Sequence, residues 1–180
     1  MSETMRLAGD PAPDTAAMIR VDHAGEFGAT RIYAGQLAVM GNRADVSGEI
    51  ARMAAQEDRH LKVFSDLMLE RGVRPTLLMP LWHRAGFALG AASALIGPKA
   101  AMAVTAAVET EIDLHYQAQR DRLAGEDPHL EEVIAEFQAE EVEHRESAIA
   151  HGAEEAPAYP LLSFLVRAGY RAAIRLSEKV

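Results

Sequence analysis

The feature that most restricts the fold of this chain is a pattern of acidic and histidine residues that occurs twice. In each half, a lone Glu precedes a Glu-x-x-His motif: Glu26 before Glu57 and His60, then Glu109 before Glu141 and His144. Residues three apart share one face of an α-helix, so each motif aims a carboxylate and an imidazole at one place. The repeat therefore favours two helical hairpins whose carboxylates and imidazoles face each other.

The composition and the spacing of apolar residues also favour helices. The chain has 180 residues, of which 49% are hydrophobic and only 6% aromatic, and alanine is abundant. Ala, Leu, Glu, Arg and Met lose little conformational freedom in a helix. Helical periodicity, capping residues and Gly or Pro breaks predict helices over 15–40, 45–71, 98–123, 128–150 and 161–177.

A long link separates the second predicted helix from the helix that begins at Pro98. Within it, residues 85–96 carry no charge. Spanning a bilayer takes roughly 20 apolar residues, so this segment is too short to cross one. Two interpretations stay open, a helix buried in the core and a helix at an interface.

Two hairpins joined by a long link, with these acids and histidines, match the ligand set of ferritin-like di-iron carboxylate proteins. We therefore predict an all-α fold, a ferritin-like four-helix bundle with a long crossover helix and a C-terminal amphipathic helix. It forms a single domain over 14–180, after a flexible lead-in at 1–13. Two metal ions would neutralise the buried carboxylates. Oxygen and imidazole ligands suit iron or manganese.

Several neighbouring residues are harder to assign from spacing. Glu111 rivals Glu109, because helical periodicity barely separates the two positions. Asp22 lies one turn before Glu26 and is expected to orient a ligand imidazole, and His23 and His115 are expected near the site. We expect solvated positions for a larger group of acids: Glu131, Glu132, Glu136, Glu140, Glu154 and Glu155.

Charge and cysteine content exclude several classes of function. The net charge is −9 without clustered Lys and Arg, which argues against a nucleic-acid surface. Cysteine is absent, which excludes iron–sulfur clusters, thiolate zinc sites and cysteine nucleophiles. Residues 1–13 lack the pattern of a secretory signal, and we expect none there.

The sequence also resembles a known family, the demethoxyubiquinone hydroxylases, through motifs that extend from about Met18 to the C-terminus. Phe27 departs from the family, whose members usually have Tyr there, so a hydroxyl at this position has no role in this chain. The matching segments are 22–29 (DHAGEFGA), 31–36 (RIYAGQ), 74–76 (RPT), 78–82 (LMPLW), 86–90 (GFALG), 115–116 (HY) and 156–159 (APAY).

The resemblance implies a di-iron monooxygenase that hydroxylates a ring carbon of 2-polyprenyl-3-methyl-6-methoxy-1,4-benzoquinone in ubiquinone biosynthesis. It implies two iron ions per chain, O2 as co-substrate and an external reductant such as NADH. It also selects Glu109 over Glu111, so the implied ligands are Glu26, Glu57, His60, Glu109, Glu141 and His144. Tyr116 and His115, on the helix of Glu109, are candidates for positioning the quinone or relaying protons.

The resemblance further implies a peripheral enzyme on the cytoplasmic face of the bacterial inner membrane. Residues 77–97 and 160–180 would contact the membrane surface, and other ubiquinone-biosynthesis proteins are expected partners. The last helix carries a basic stripe that suits anionic lipids or, equally, solvent: Arg167, Arg171, Arg175 and Lys179. A homo-oligomer is left open.

The main alternative is a ferritin-like protein that oxidises or stores iron, since the same six ligands would serve it. The apolar segment 85–96 and the basic C-terminal helix argue against a storage role, because a soluble cage requires neither. A metal-free bundle that binds a partner protein is a third hypothesis, and it predicts normal stability after chelation.

Overall fold

The fold is all-α, as the sequence predicts, in a computed structural model that describes residues 14–42 and 44–179. The lead-in predicted for 1–13 lies outside these residues. Over the described ranges the structure has six α-helices, one short 3-10 turn at Ala153–Glu155, and no strand. The helices are α1 Thr15–Met40, α2 Ser47–Arg71, α3 Met79–Ile96, α4 Pro98–Leu123, α5 Pro128–Ala150 and α6 Tyr159–Ser177.

Helices α1, α2, α4 and α5 form the four-helix bundle, and side-chain caps fix two of its helix starts. The Asp14 carboxylate accepts a hydrogen bond from Ala17 N (2.9 Å), and the Asp127 carboxylate accepts one from Leu130 N (3.1 Å). Each cap satisfies a backbone donor that the first turn of a helix leaves unpaired. Both starts agree with the sequence prediction.

The bundle core consists of two apolar clusters, one towards each end of the bundle. One cluster includes Phe64, Leu123 and Phe137, and the other includes Ile50, Met53 and Met102. The six predicted ligands lie near the middle of their helices, between these clusters. Water is therefore kept away from them in both directions along the bundle.

Helix α3 is the crossover, and it packs very closely on α1 through glycines. A Cβ added at Gly90 would lie 1.9 Å from the Ile32 carbonyl oxygen, and one at Gly35 would lie 2.2 Å from the Phe87 carbonyl oxygen. The opposite face of α3 remains exposed, with Leu95 at 76% and Ile96 at 61%. The uncharged segment is thus neither a core helix nor fully exposed. None of the described helices has the length and apolarity needed to span a membrane.

Helix α6 packs on α4 through an ion-pair cluster around a buried acid. Glu111 is 4% exposed, and one of its oxygens accepts from Arg167 Nε (2.5 Å) and from Arg171 Nη1 (2.7 Å). Half of the predicted basic stripe therefore faces inward. Arg175 and Lys179 remain exposed.

The glycine contact between α1 and α3 yields a stability prediction. Gly90→Ala should lower the free energy of unfolding by roughly 1–3 kcal/mol or more, because the new methyl group overlaps backbone atoms that cannot move aside cheaply. Urea denaturation of the metal-loaded protein measures this change. The control is Gly48→Ala, where a Cβ meets nothing within 4 Å. Equal stability of the two variants would contradict the close packing of α3 on α1.

Candidate metal centre

The six acids and histidines singled out from the repeat come together in the structure. All are buried, and their potential ligand atoms form two groups, each within 4.8 Å. Glu26 and His60 belong to the first group, and Glu109 and His144 belong to the second. Glu57 and Glu141 are common to both groups. The arrangement therefore fits two cations bridged by two carboxylates, each with one further carboxylate and one imidazole.

The hydrogen bonding of these residues supports a metal pair. His60 Nδ1 lies 3.1 Å from Glu141 Oε1, and His144 Nδ1 lies 3.1 Å from Glu57 Oε1. Buried polar atoms without partners are costly and rare in folded proteins. Among the described residues the atoms that lack a hydrogen-bond partner include Glu26 Oε2, both oxygens of Glu57 and of Glu141, Glu109 Oε2, His60 Nδ1 and His144 Nδ1.

Burial and charge crowding perturb the pKa values at the centre. Burial first, and then repulsion from Glu141, raise the pKa values of Glu57 and Glu109 well above the usual range. Burial opposes charge on His60 and Glu141 as well, but the opposite charges that lie close to each of them outweigh this effect. The pKa of His60 rises to about 10, and that of Glu141 falls to about 2. Without cations, protons must therefore balance part of the charge.

Two buried tyrosines hold the terminal carboxylates, and they occupy equivalent places in the repeat. Tyr33 follows Glu26 by seven residues and donates to Glu109 Oε1 (2.7 Å). Tyr116 follows Glu109 by seven residues and donates to Glu26 Oε1. Each helix of the pair therefore fixes the ligand carried by the other. The spacing of the ligands alone does not show the role of Tyr33. Its position in the repeat, which matches that of Tyr116, could have indicated this role.

The outer nitrogens of both ligand histidines contact residues that the sequence analysis did not place at the site. His60 Nε2 lies 3.0 Å from Glu140 Oε2, and His144 Nε2 lies 3.1 Å from Gln56 Oε1. Such contacts place the Nε2 proton and leave Nδ1 facing the centre. The expectation that Glu140 is a solvated acid is therefore wrong. The sequence could have indicated this contact, because Gln56 and Glu140 each directly precede the Glu of a Glu-x-x-His motif.

The expectation for Asp22 is also wrong. Its Oδ1 accepts from Gln119 Nε2 (2.7 Å) and lies 3.3 Å from His115 Nε2, and neither partner is a predicted ligand. Burial raises the pKa of Asp22, against the opposing effect of His115. His115 is half-buried beside this acid. The proposed roles of His115 and Tyr116 in the reaction stay predictions.

The two rival acids on α4 separate clearly in space. Glu109 faces the centre, whereas Glu111 faces α6 and is neutralised by Arg167 and Arg171. Of the four remaining histidines, His23 is half-buried, and His83, His129 and His151 are exposed.

An apolar cavity of about 540 Å³ adjoins the centre. Its floor is α1 and its walls are α3 and α6, whose ends are joined by a hydrogen bond from Trp82 Nε1 to Ser177 Oγ (3.1 Å). Gly25, the residue before the predicted ligand Glu26, belongs to the lining. The cavity therefore borders the stretch of α1 that carries Glu26.

Comparison with known proteins finds relatives that share about half of this sequence. A hydroxylase of Rhodospirillum rubrum, named 3-demethoxyubiquinol 3-hydroxylase, is 54% identical over 97% of this chain and 84% of its own length. The mouse and human proteins, each named NADPH-dependent 3-demethoxyubiquinone 3-hydroxylase, mitochondrial, are 54% and 52% identical over 90% and 91% of this chain and 76% of their own length. The family model described as "Ubiquinone biosynthesis protein COQ7" matches residues 13–177, and the chain belongs to this family.

Proposed function

We propose that this protein is an O2-dependent di-iron monooxygenase of ubiquinone biosynthesis. It hydroxylates a ring carbon of 2-polyprenyl-3-methyl-6-methoxy-1,4-benzoquinone. The observation that carries the proposal is the contiguity of two sites, a buried ligand set for two cations and an apolar cavity that reaches the residue before Glu26. Membership of the family and the names of its close relatives support the same activity.

The six ligands have distinct tasks in this proposal. Glu57 and Glu141 would serve both ions. Glu26 and His60 would complete the coordination of one ion, and Glu109 and His144 would complete that of the other. Bound iron would activate O2, so that one oxygen atom enters a ring C–H bond and the other leaves as water, with two electrons from the external reductant.

Other residues of the chain orient the ligands and exclude water. Tyr33 and Tyr116 hold the terminal carboxylates through their hydroxyl groups. The Phe137 ring stacks on His60 with centroids 3.9 Å apart and closes the centre on that side. We propose that His115, whose Nε2 lies 3.3 Å from Asp22 Oδ1, relays protons towards Tyr116, the next residue on α4.

The reductant comes from outside the chain. The sequence has no glycine-rich nucleotide loop, and several relatives are named as NADPH-dependent enzymes. A reduced nicotinamide such as NADH or NADPH is therefore the electron source that we propose.

We further propose that residues 77–97 and 160–180 contact a membrane surface. Leu77, Leu81, Leu161, Phe164 and Leu165 are each more than half exposed, and Leu165 also lines the cavity. Burying such side chains in lipid is favourable, and exposed Arg175 and Lys179 suit anionic headgroups. In a bacterial cell this surface is the cytoplasmic face of the inner membrane. Association with other ubiquinone-biosynthesis proteins stays a prediction, and homo-oligomerisation stays open.

The activity is tested by single-turnover chemistry. Iron-loaded protein is reduced without oxygen and mixed with the demethoxy quinone and isotopically heavy O2, and the quinone is analysed by mass spectrometry. We expect a product that carries one labelled oxygen atom. Oxidised iron with unchanged quinone, in a sample that binds the quinone, would instead favour the iron-oxidising alternative.

The bridging assignment predicts the iron content of ligand variants. We expect the parent protein to bind about two iron ions per chain. The variants Glu57→Gln and Glu141→Gln should each bind far less iron, because a bridging carboxylate serves both ions. Elemental analysis after dialysis measures this content. Glu132→Gln, an exposed acid on the same helix as Glu141, is the matched control. Unaltered iron content in both bridging variants would show that the ligand assignment is wrong.

The pKa shifts predict that metal binding releases protons. In the metal-free protein the pKa of His60 is raised to about 10, so this group holds a proton near neutrality, and the raised pKa values of Glu57 and Glu109 favour their protonated forms. Cations bind the deprotonated forms, so affinity for Fe2+ should rise between about pH 6 and pH 8. Anaerobic calorimetry in buffers of different ionisation enthalpy measures the release. Binding without proton release would contradict these pKa directions.

A further inference from the structure

Tyr170, on α6, is one of four residues that line both the apolar cavity and a niche beside the metal centre, and it alone of the four has a polar side chain. It lines the large cavity and also a small niche of about 20 Å³, whose other lining residues include Asp22, Glu26, His115 and Tyr116. A molecule that filled the cavity and approached Glu26 would therefore pass the ring of Tyr170.

The hydroxyl group of Tyr170 is buried and lacks a hydrogen-bond partner among the described residues. The hydroxyls of Tyr33 and Tyr116, equally buried, both donate to carboxylates of the centre. Leaving a buried donor unpaired is unfavourable, which makes an unpaired one a candidate to meet a ligand.

Two features hold this hydroxyl group in place. A Cβ at Gly25 would lie 3.1 Å from it, so the glycine gives the phenol room against α1, directly before Glu26. On α6 itself, Arg167 and Arg171 flank Tyr170 in sequence and both donate to buried Glu111. The ion pairs therefore hold the helix that carries the phenol, and Gly25 leaves room for the hydroxyl group against α1.

The chemistry of the cavity identifies what this group binds. Besides Tyr170, the side chains in the lining that carry a nitrogen or oxygen are Trp82 and Ser177, and these two contact each other. Burial and then the carboxylates of the centre, Glu26 foremost, raise the pKa of Tyr170, so the phenol stays a neutral donor. Its partner must be an acceptor on a molecule that is otherwise apolar.

We propose that the Tyr170 hydroxyl group donates a hydrogen bond to a ring oxygen of the quinone and so positions the ring at the Glu26 side of the metal centre. This inference rests on the proposed function, since it names the group that binds the head of that substrate. The prenyl tail occupies the apolar remainder of the cavity between α3 and α6.

The test compares two ligands and two variants of the iron-loaded protein. One ligand is the demethoxy quinone with a short prenyl tail, and the other carries the same tail on a toluene ring without oxygen atoms. Tyr170→Phe keeps the ring of the side chain and removes the hydroxyl group. Tyr159→Phe makes the same change on the same helix, outside the cavity lining.

We expect Tyr170→Phe to weaken binding of the quinone roughly fivefold to tenfold, the effect of one hydrogen bond to a neutral acceptor. Binding of the oxygen-free ligand, the iron content and the melting temperature should not change. Tyr159→Phe should bind both ligands as the parent does. In turnover, KM for the quinone should rise by a similar factor, with a smaller change in kcat.

Equal quinone binding by Tyr170→Phe and the parent would overturn the proposal. So would an equal loss of both ligands, because the phenol would then only shape the wall. A parent protein that neither binds nor hydroxylates the quinone marks a different failure, that of the proposed function itself. The parent measurements therefore distinguish the two failures before any variant is compared.

Discussion

The burial of four carboxylates and two imidazoles midway along the bundle is the constraint on which the rest of the structure depends. Isolated charges in an apolar core are prohibitively expensive, so the cluster exists only with cations or protons to balance it. The raised pKa values of Glu57 and Glu109 express this cost. The apolar clusters at both ends of the bundle exclude water and so increase the cost of burying these charges. They thereby favour the binding of metal ions.

The supports of the centre cross between the two hairpins. Tyr33 of the first hairpin holds Glu109 of the second, and Tyr116 of the second holds Glu26 of the first. Likewise, Glu140 contacts His60, and Gln56 contacts His144. Neither hairpin can therefore orient its own ligands alone, and assembly of the site is tied to docking of the hairpins.

Helical periodicity and capping residues were enough to predict the helices of the bundle, and the repeated Glu and Glu-x-x-His pattern predicted the residues that meet, with Glu109 chosen over Glu111 only by the family resemblance. The acid on α4 was not separable by spacing, because Glu111 also lies on an inward face. Only α6, which supplies Arg167 and Arg171, shows where Glu111 points. The errors at Asp22 and Glu140 have the same origin. Both residues contact another helix, and sequence spacing within one helix does not determine how two helices are aligned.

The cavity follows from how differently α3 and α6 are attached. Glycines bring α3 into backbone contact with α1, whereas ion pairs around Glu111 fix α6 on α4. The two helices are joined to each other by Trp82 and Ser177, and an apolar gap stays open along the rest of their length. A ligand can thus reach the Glu26 side between apolar walls, while the polar contacts of Gln56 and Glu140 lie on α2 and α5. The charged centre can therefore meet an apolar substrate without opening towards water.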